Sequence, residues 1–443
     1  MDAKVLAAIG FFQRQAASLL LYQDVLSGKI AQTFGELLAA LSAPTANPIA
    51  ILTAYGAWFA AQAAAGQSWQ EYLLREILQA DNPFSQQAQR LELGALNPAL
   101  LTAVQHDLRS LQQLYHCEGD RLSQWVQQAT GTTLPSWERQ DGKPHGRLRD
   151  IRQLPLWIKL EGGSDWGEAI ADLAQYYRKA GIGIFARHHA MRWQAGKLIG
   201  IAYPDPIRLH ELIGYESQQA ALVQNTQALL AGYPALHVLL YGSRGTGKSS
   251  LIKALLHRFG DRGLRLIEVA KADLQDLQLI IEQVRHSPQK FILFVDDLSF
   301  EEDEDAYKAL KVVLEGNLTA RSQNVVVYAT SNRRHLIREF FGDRPRPRDA
   351  DEVHAWDTVQ EKLSFSDRFG LTLTFEPADQ DTYLQMVRHL AQLAHLTISP
   401  AELDRRALQW ATQHNGRSGR TARQFIDFLQ SDGVNQTLQS PSA

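Results

Sequence analysis

Two adjacent carboxylates, Asp296 and Asp297, end an apolar run with the sequence FILFVDD. One carboxylate can bind a divalent cation, and a second one within hydrogen-bond reach can take a proton from water. The same pair could instead be an acidic turn without a chemical role. Its interpretation depends on whether the chain also contains a phosphate-binding segment, because a cation-binding aspartate usually works beside one.

A glycine-rich segment, YGSRGTGKSS, occupies residues 241–250, where it follows an apolar run and precedes a helical pattern. This order is the context of a phosphate-binding loop. Glycines let the backbone N–H groups converge on phosphate oxygens, Lys248 is expected to reach the terminal phosphates, and the Ser249 hydroxyl is expected to bind Mg²⁺. A glycine-rich turn without function is the alternative. The predicted phosphate-binding residues are Gly242, Ser243, Arg244, Gly245, Thr246, Gly247, Lys248, Ser249 and Ser250.

The phosphate loop changes the interpretation of the two carboxylates. In phosphate-loop enzymes a second apolar strand ends in an acid that helps to hold Mg²⁺, and we predict this role for Asp296 together with Ser249. Asp297 is predicted to accept a proton from the attacking water, and a turn or helix cap is its alternative. The acidic residues 301–305 are interpreted as the solvated start of a helix. The expected cofactors are ATP and Mg²⁺.

These side chains need a sheet to position them. Continuous apolar runs that alternate with amphipathic helices indicate a parallel sheet covered on both faces. The predicted fold class is therefore α/β, with a doubly wound parallel sheet of five strands. The five runs are HVLLYG (237–242), LRLIEVA (264–270), FILFVDD (291–297), NVVVYATSN (324–332) and LTLTFEP (371–377).

Helical spacing of apolar residues dominates on both sides of the predicted sheet. Residues 1–150 are predicted to form an all-helical N-terminal domain, and residues 151–203 a helical region and linker before the core. Residues 204–377 form the predicted α/β nucleotide-binding core. Residues 378–443 form a predicted helical lid with a frayed end.

The composition is that of a globular protein, with 45% hydrophobic and 21% charged residues among 443. A formal net charge of -3 excludes a chain-wide basic surface for nucleic acid. Cys117 is the only cysteine, so an intramolecular disulfide and a cysteine-based zinc cluster are excluded. The first 15 residues lack the pattern of an export signal, and we expect a cytoplasmic protein.

One charge-free segment, residues 49–66, has the length at which a membrane segment must be considered. It is rich in alanine and only approaches the roughly 20 strongly apolar residues that a bilayer requires. We expect a buried helix of a soluble domain and no membrane insertion.

With these residues placed, residues 208–429 resemble the AAA+ ATPases. The segment LHELIGYE resembles the part of that superfamily that lines the adenine site, which implies this role for Leu212, Ile213 and Gly214. The segment YATSN resembles the sensor-one strand, which implies that Asn332 orients the attacking water. A polar strand end is the alternative for Asn332.

The same resemblance implies roles for three arginines. LSFSDRFGLTLTF resembles the segment that ends in the arginine finger, which implies that Arg368 reaches the nucleotide of a neighbouring subunit and that the chain forms a homo-oligomer. A local surface ion pair is the alternative for Arg368. GRSGRTARQF resembles sensor two, which implies that Arg420 contacts the terminal phosphate, with Arg423 as the second candidate.

The most specific resemblance is to a bacterial AAA+ family catalogued as domain of unknown function eight-one-five. It covers residues 166–429, whereas residues 1–150 resemble no family. The segments that carry it are LAQYYRKAGIGIFARHHAMRW, DPIRLHELIGYE, YGSRGTGKSS, FVDDLSFE, YKALKVVLEG, YATSNRRHLI, SDRFGL and SGRTARQF.

One residue departs from the commonest AAA+ pattern, since Asp297 stands where glutamate is usual. Helicase loaders and transposition helper ATPases also carry two aspartates at this place. Aspartate is one methylene shorter than glutamate, so the water must sit closer or a neighbour must assist. We therefore expect slow turnover.

The predicted function is an ATPase that binds and hydrolyses Mg-ATP at subunit interfaces to remodel or load an unidentified macromolecular client. A loader or scaffold that uses ATP as a switch, and a structural adaptor with permanently bound nucleotide, are the rivals. Nucleic acid stays open as a partner on local features alone. The arginine-rich residues 344–348 could contact nucleic acid, and a solvated loop is their alternative. The basic residues 333–335 could make an extra phosphate or subunit-interface contact, and an exposed helix start is their alternative.

Overall fold

A computed structural model describes residues 2–44, 47–137, 151–300, 305–315, 322–332, 365–414 and 416–439 of the chain. The chain divides into two compact units, Met1–Arg187 and His188–Ala443. Each unit has its own hydrophobic core.

The first unit consists of helices and connecting loops throughout its described residues. Its core is rich in large aromatic side chains, and Trp58, Trp69, Trp157 and Trp166 are all buried there. The α-helices are α1 (Ala3–Ala17), α2 (Lys29–Ser42), α3 (Pro48–Ala65), α4 (Trp69–Leu78), α5 (Pro83–Ala88), α6 (Pro98–Tyr115), α7 (Gly119–Thr130), α8 (Pro155–Glu161), α9 (Ile170–Ala180) and α10 (Gly183–Arg187).

A local sequence signal starts three of these helices. Asn47, Asn82 and Asn97 precede α3, α5 and α6, and each asparagine side chain accepts a hydrogen bond from a backbone N–H of the first turn. A proline follows each asparagine, where its fixed φ suits a helix and its missing N–H costs no intrahelical bond.

The charge-free segment forms α3, the one described helix that is long and apolar enough to cross a membrane. Its buried residues, Ile51, Tyr55, Trp58 and Gln62, lie on one face of the helix. Only 22% of the 18 residues of α3 are buried, so the burial that we expected is found on one face of the helix alone.

The second unit is built on a sheet that has seven strands among the described residues. All neighbouring strands are parallel except for the pair β1–β2. The spatial order is β2-β1-β4-β5-β6-β3-β7. The strands are β1 (Ala190–Gln194), β2 (Lys197–Gly200), β3 (Val238–Gly242), β4 (Leu264–Glu268), β5 (Lys290–Val295), β6 (Val325–Ser331) and β7 (Leu371–Phe375).

The predicted α/β fold with a mostly parallel sheet is confirmed, with one correction to the number of strands. The five apolar runs form β3 to β7, but β1 and β2 extend the sheet as an antiparallel hairpin. The hairpin turns at Ala195 and Gly196, which both have positive φ, and the Met191 and Trp193 side chains of β1 are buried. Residues 151–203, expected to be helical, thus contain three helices in the first unit and two strands in the second.

Helices flank the sheet and form the lid. The lid has its own core, which includes Tyr383, Leu390, Ala407 and Phe425. The flanking helices are α11 (Glu216–Leu230), α12 (Lys248–Phe259), α13 (Leu277–Val284) and α14 (Asp305–Glu315), and the lid helices are α15 (Gln380–Leu393), α16 (Pro400–Gln413) and α17 (Gly419–Gln439).

Candidate active site

The carboxyl ends of β3, β5 and β6 meet at one edge of the sheet, because β6 lies between the other two and all three are parallel. A cavity of about 660 Å³ opens there. This is the edge at which open α/β sheets bind ligands. The predicted residues that line the cavity are Leu212, Ile213, Arg244, Gly245, Thr246, Gly247, Lys248, Ser249, Ser250, Asp296, Asp297, Asn332 and Arg420, and Arg423 lines it as well.

The phosphate loop has the backbone that its glycines permit. Gly242 has φ +139, and a Cβ atom there would lie 2.0 Å from the backbone oxygen of Phe375. The N–H of the next residue, Ser243, donates to that same oxygen over 3.1 Å, so the loop starts against the end of β7. Gly247, with φ +90, immediately precedes the first turn of α12. Gly242 and Ser243 support the loop but do not line the cavity.

Lys248 extends across the loop. Its Nζ donates to the backbone oxygens of Gly242 and Ser243 over 2.8 and 2.7 Å. A longer contact of 3.5 Å reaches Oδ1 of Asn332. Burial lowers the pKa of Lys248 from its ordinary value of 10.5. The nearby carboxylates of Asp296 and Asp297 oppose this shift, and the charge of Arg420 adds to it.

Asp296 and the Ser249 hydroxyl meet as expected for an Mg²⁺ site. Ser249 Oγ donates to Asp296 Oδ1 over 2.6 Å. Hydroxyl and carboxylate oxygens suit Mg²⁺, which usually binds one or two carboxylates together with substrate phosphates. Among the described residues no group of three or more His, Cys, Asp or Glu side chains could hold a metal ion. Ser249 and Asp296 supply the kind of oxygen atoms that would hold Mg²⁺.

Asp297 follows Asp296 in an unusual backbone conformation, with φ +51. Its Oδ1 accepts a hydrogen bond of 2.5 Å from Nδ2 of Asn332. Its backbone N–H donates to Oγ1 of Thr330 over 3.0 Å. The structure thus brings the predicted general base and the predicted water-orienting amide into direct contact.

The other side of the cavity is formed by the segment before α11 and by the lid. Leu212 and Ile213 line it, whereas Gly214, with φ +94, packs against the lid. A Cβ atom on Gly214 would lie 2.5 Å from Thr382 Cγ2 and 2.9 Å from Met386 Cε. A side chain at this position would therefore push the lid away from the segment.

The two candidate sensor-two arginines have different partners. The backbone N–H of Arg420 donates to the oxygen of Gly245 over 3.1 Å, which joins the lid to the phosphate loop. The Arg423 guanidinium instead forms an ion pair of 3.1 Å with Glu211. Arg420 is therefore the arginine on the phosphate side, and Arg423 binds the segment that leads to Leu212.

Arg368 lies outside the cavity of its own chain. It ends the short 3₁₀ helix Phe365–Arg368, and its guanidinium forms an ion pair with Glu315 at the end of α14. The basic residues 333–335, the arginine-rich residues 344–348 and the acidic residues 301–304 lie outside the described residues.

The site contains a buried threonine that the sequence analysis missed. Thr330 lines the cavity, is 2% exposed, and bonds to Asp296 through its hydroxyl. The signal that could have revealed it is its position in NVVVYATSN, two residues before Asn332, where a β-strand presents the same face.

Comparison with known families identifies the second unit. A family model described as "Protein of unknown function (DUF815)" matches residues 186–433, which is more than half of the chain. The chain belongs to this family. The DUF815 match includes the β1–β2 hairpin and the whole described sheet, and it begins after residues 166–185 of the expected resemblance.

Two solved structures show partial similarity to this DUF815 member. The Holliday junction branch migration motor RuvB of Thermotoga maritima is 16% identical, covers 51% of this chain and 72% of its own, and has a TM-score of 0.33. AMPPCP-bound DnaA from Aquifex aeolicus is 18% identical, covers 54% of this chain and 69% of its own, and has a TM-score of 0.36. Similarity of this size transfers no role to the chain. No curated protein matches it.

Proposed function

We propose that this DUF815 member is an ATPase that binds and hydrolyses Mg-ATP in the described cavity and uses the cycle to remodel or load a macromolecular client. The observation that carries the proposal is the convergence of Lys248, Ser249, Asp296, Asp297 and Asn332 on one cavity. These side chains come from α12 and from the ends of β5 and β6. A phosphate loop alone would support binding, whereas the second carboxylate and the amide support hydrolysis.

Each residue has a proposed part in the reaction. Lys248 and the loop N–H groups bind phosphate oxygens, and Ser249 and Asp296 hold Mg²⁺, which when bound stabilises the charge of the phosphates. Asn332 orients a water molecule, and Asp297 accepts its proton. The water oxygen forms a bond to the γ-phosphorus while the bond to the bridging oxygen breaks. ADP leaves with that oxygen, and the proton passes to the released phosphate or to solvent.

The apolar side of the cavity is proposed to bind the adenine. Leu212, Ile213, Tyr215, Phe375 and Met386 line it together with Arg423. A mostly apolar slot with a few polar groups is the usual form of a base-binding pocket. Gly214 contributes by letting the lid approach this side rather than by lining it.

We propose that the active site is shared between copies of this chain. Arg368 cannot act in the cavity of its own chain as described, because it lies outside the lining and pairs with Glu315. The resemblance to AAA+ ATPases implies that this arginine stabilises the transferring phosphoryl group of a neighbouring subunit. A homo-oligomer in the cytoplasm with a protein client is therefore the proposed working form.

One observation favours a second candidate, a slow ATP-dependent switch that loads or scaffolds a client, with nucleic acid as one class of client. The Asp297 carboxylate is already one methylene short, and one of its two oxygens, Oδ1, accepts the Asn332 amide. A short general base with one oxygen engaged has fewer geometries in which it can meet the attacking water, which favours slow turnover. Such a protein would change partners on binding ATP and use hydrolysis only to reset.

Steady-state phosphate release, measured across protein concentrations, tests the proposal. The wild-type chain should release phosphate with a rate per subunit that rises with concentration, and Lys248→Ala should abolish it. Equal rates for the two proteins would overturn the proposal. Client binding that depends on ATP but continues unchanged in Asp297→Asn would favour the switch, and salt-sensitive, ATP-dependent binding of DNA would identify nucleic acid as its client.

A further inference from the structure

Thr330 contacts three consecutive residues of the turn that follows β5. Its Oγ1 donates to Oδ1 of Asp296 over 2.5 Å and accepts the backbone N–H of Asp297 over 3.0 Å. Its backbone oxygen accepts the N–H of Leu298 over 2.7 Å. The contact follows from strand register, because β6 pairs Ala329 with Val295 and so places the next residues side by side.

One residue of this turn has a left-handed backbone conformation. Asp297 has φ +51, which aspartate tolerates better than most residues with a side chain but which still costs energy. Strained residues of this kind persist only where neighbouring groups hold them. Here Asp297 is held by the Thr330 hydroxyl, which accepts its N–H, and by the Thr330 backbone oxygen, which accepts the N–H of Leu298.

The same hydroxyl also orients the cation-binding carboxylate. Thr330 Oγ1, Ser249 Oγ and the N–H of Asp297 all donate to Oδ1 of Asp296. No described residue donates to the other oxygen, Oδ2. The protein therefore holds this carboxylate by one oxygen and leaves the second without a described protein partner.

We propose that Thr330 is a positioning residue whose hydroxyl sets the relative placement of the Asp296 and Asp297 carboxylates. The inference rests on the proposed function, since it concerns the Mg²⁺-binding and proton-accepting groups of that reaction. A hydroxyl can donate to one group and accept from another at the same time, which is why a buried threonine can hold both residues. A residue of the same shape without the hydroxyl would leave both hydrogen bonds unmade.

The test compares two variants at this position with one control. Thr330→Val keeps the volume and removes the hydroxyl, and Thr330→Ser keeps the hydroxyl and removes a methyl group. The control is Thr226→Val. Thr226 is 0% exposed, bonds through its hydroxyl to the Leu222 oxygen and the Tyr328 hydroxyl, and does not line the cavity.

The measured quantities are kcat, the Mg²⁺ concentration for half-maximal rate, and the affinity for ATP without Mg²⁺. Thr330→Val should lower kcat by about 10–100-fold and raise the Mg²⁺ requirement, as loss of an outer hydrogen bond does at metal sites. Its metal-free ATP affinity should stay within about threefold, because the phosphate loop is intact. Thr330→Ser should restore kcat to within about threefold, and Thr226→Val should lose thermal stability without losing kcat.

A Thr330→Val protein with wild-type kcat and Mg²⁺ requirement would overturn the proposal, and so would a Thr330→Ser protein as slow as the valine variant. If Thr330→Val does not fold, Thr330→Cys takes its place, because cysteine has a similar volume and only a weak hydrogen-bonding group. A Thr330→Cys protein with the same kcat as Thr330→Ser would then overturn the proposal. A failure of the proposed function would be seen separately, as equal phosphate release by the wild-type chain and Lys248→Ala.

Discussion

The Asn332 amide donates a 2.5 Å hydrogen bond to the Asp297 carboxylate. The same asparagine accepts a contact of 3.5 Å from Lys248 through its oxygen. An amide can make both contacts because it has a donor end and an acceptor end. Asn332 therefore links the residue proposed to bind phosphate with the residue proposed to accept the proton of water.

Asp297→Asn should separate binding from hydrolysis. The change keeps the size of the side chain but removes its ability to accept a proton, so kcat should fall about 100-fold or more while ATP affinity changes little. Phosphate release and binding of a fluorescent ATP analogue measure the two quantities. Asp261→Asn, the same change at an exposed carboxylate outside the cavity, is the control. Turnover that survives in Asp297→Asn would return this residue to the role of a turn cap.

The pH dependence of kcat/KM should report the lowered pKa of Lys248. The free chain needs a charged Lys248 to bind phosphate, and burial lowers its pKa below 10.5, so the alkaline limb should lie below pH 10.5. Arg420→Ala removes a positive neighbour that lowers this pKa, so the limb should move to higher pH. Arg423→Ala, which removes a guanidinium that is paired with Glu211, should leave the limb close to its wild-type position.

Gly242→Ala should destabilise the second unit and abolish nucleotide binding. The new Cβ atom would lie 2.0 Å from the Phe375 oxygen, at a φ of +139. Backbone strain and the clash together should cost about 3 kcal/mol or more. The matched control is Gly232→Ala, at φ +81 with nothing within 4 Å, where strain acts alone. Equal losses of thermal stability in the two variants would show that contact with β7 does not explain the glycine.

The parallel strands could be predicted because each is a continuous apolar run, which is what a sheet covered on both faces requires. The hairpin could not be predicted in the same way. β1 places the exposed Arg192 between the buried Met191 and Trp193, and β2 is four residues long. Their place in the sheet depends on pairing with β4, which lies more than 60 residues further along the chain.

The residues of the site also fall into two groups, those that a local motif predicts and those whose contacts depend on the fold. Lys248, Ser249 and Asp296 could be predicted because local motifs carry them. The spacing of Thr330 from Asn332 could have placed it on the same strand face, but its contacts with Asp296 and Asp297 could not be predicted, because they arise from the register between β5 and β6. The ion pair between Arg423 and Glu211 joins residues 212 positions apart, and only the folded lid brings them together.

The Arg423–Glu211 pair should add a small amount of free energy to the packing of the lid against the segment that leads to Leu212. Both side chains are partly exposed, at 43% and 22%, so a coupling of about 0.2–1 kcal/mol is expected. A double-mutant cycle with Arg423→Ala and Glu211→Gln, read out as ADP affinity, measures the coupling. The control cycle uses the exposed lid pair Arg388 and Asp404, which lies outside the cavity lining. An Arg423→Ala variant that loses affinity for ATP but not for ADP would instead assign the terminal phosphate to this arginine.

Mixing two inactive variants should show whether Arg368 acts on a neighbouring subunit. Arg368→Ala alone should lower kcat by about 1,000-fold, as loss of an arginine finger does. Lys248→Ala alone has an intact Arg368 but cannot bind ATP productively. In an equal random mixture, one interface in four joins a functional cavity to a functional arginine, so about a quarter of the wild-type rate should return.

Glu315→Gln separates this role from a local ion pair. The change removes the in-chain partner of Arg368 but keeps the guanidinium, so kcat should stay within about threefold of wild type if the arginine works in trans. If Arg368 serves only to hold the end of α14, then Glu315→Gln and Arg368→Ala should lose activity and thermal stability together. In that case the mixture of Arg368→Ala and Lys248→Ala should stay inactive, because no arrangement of subunits restores an ion pair that forms within one chain.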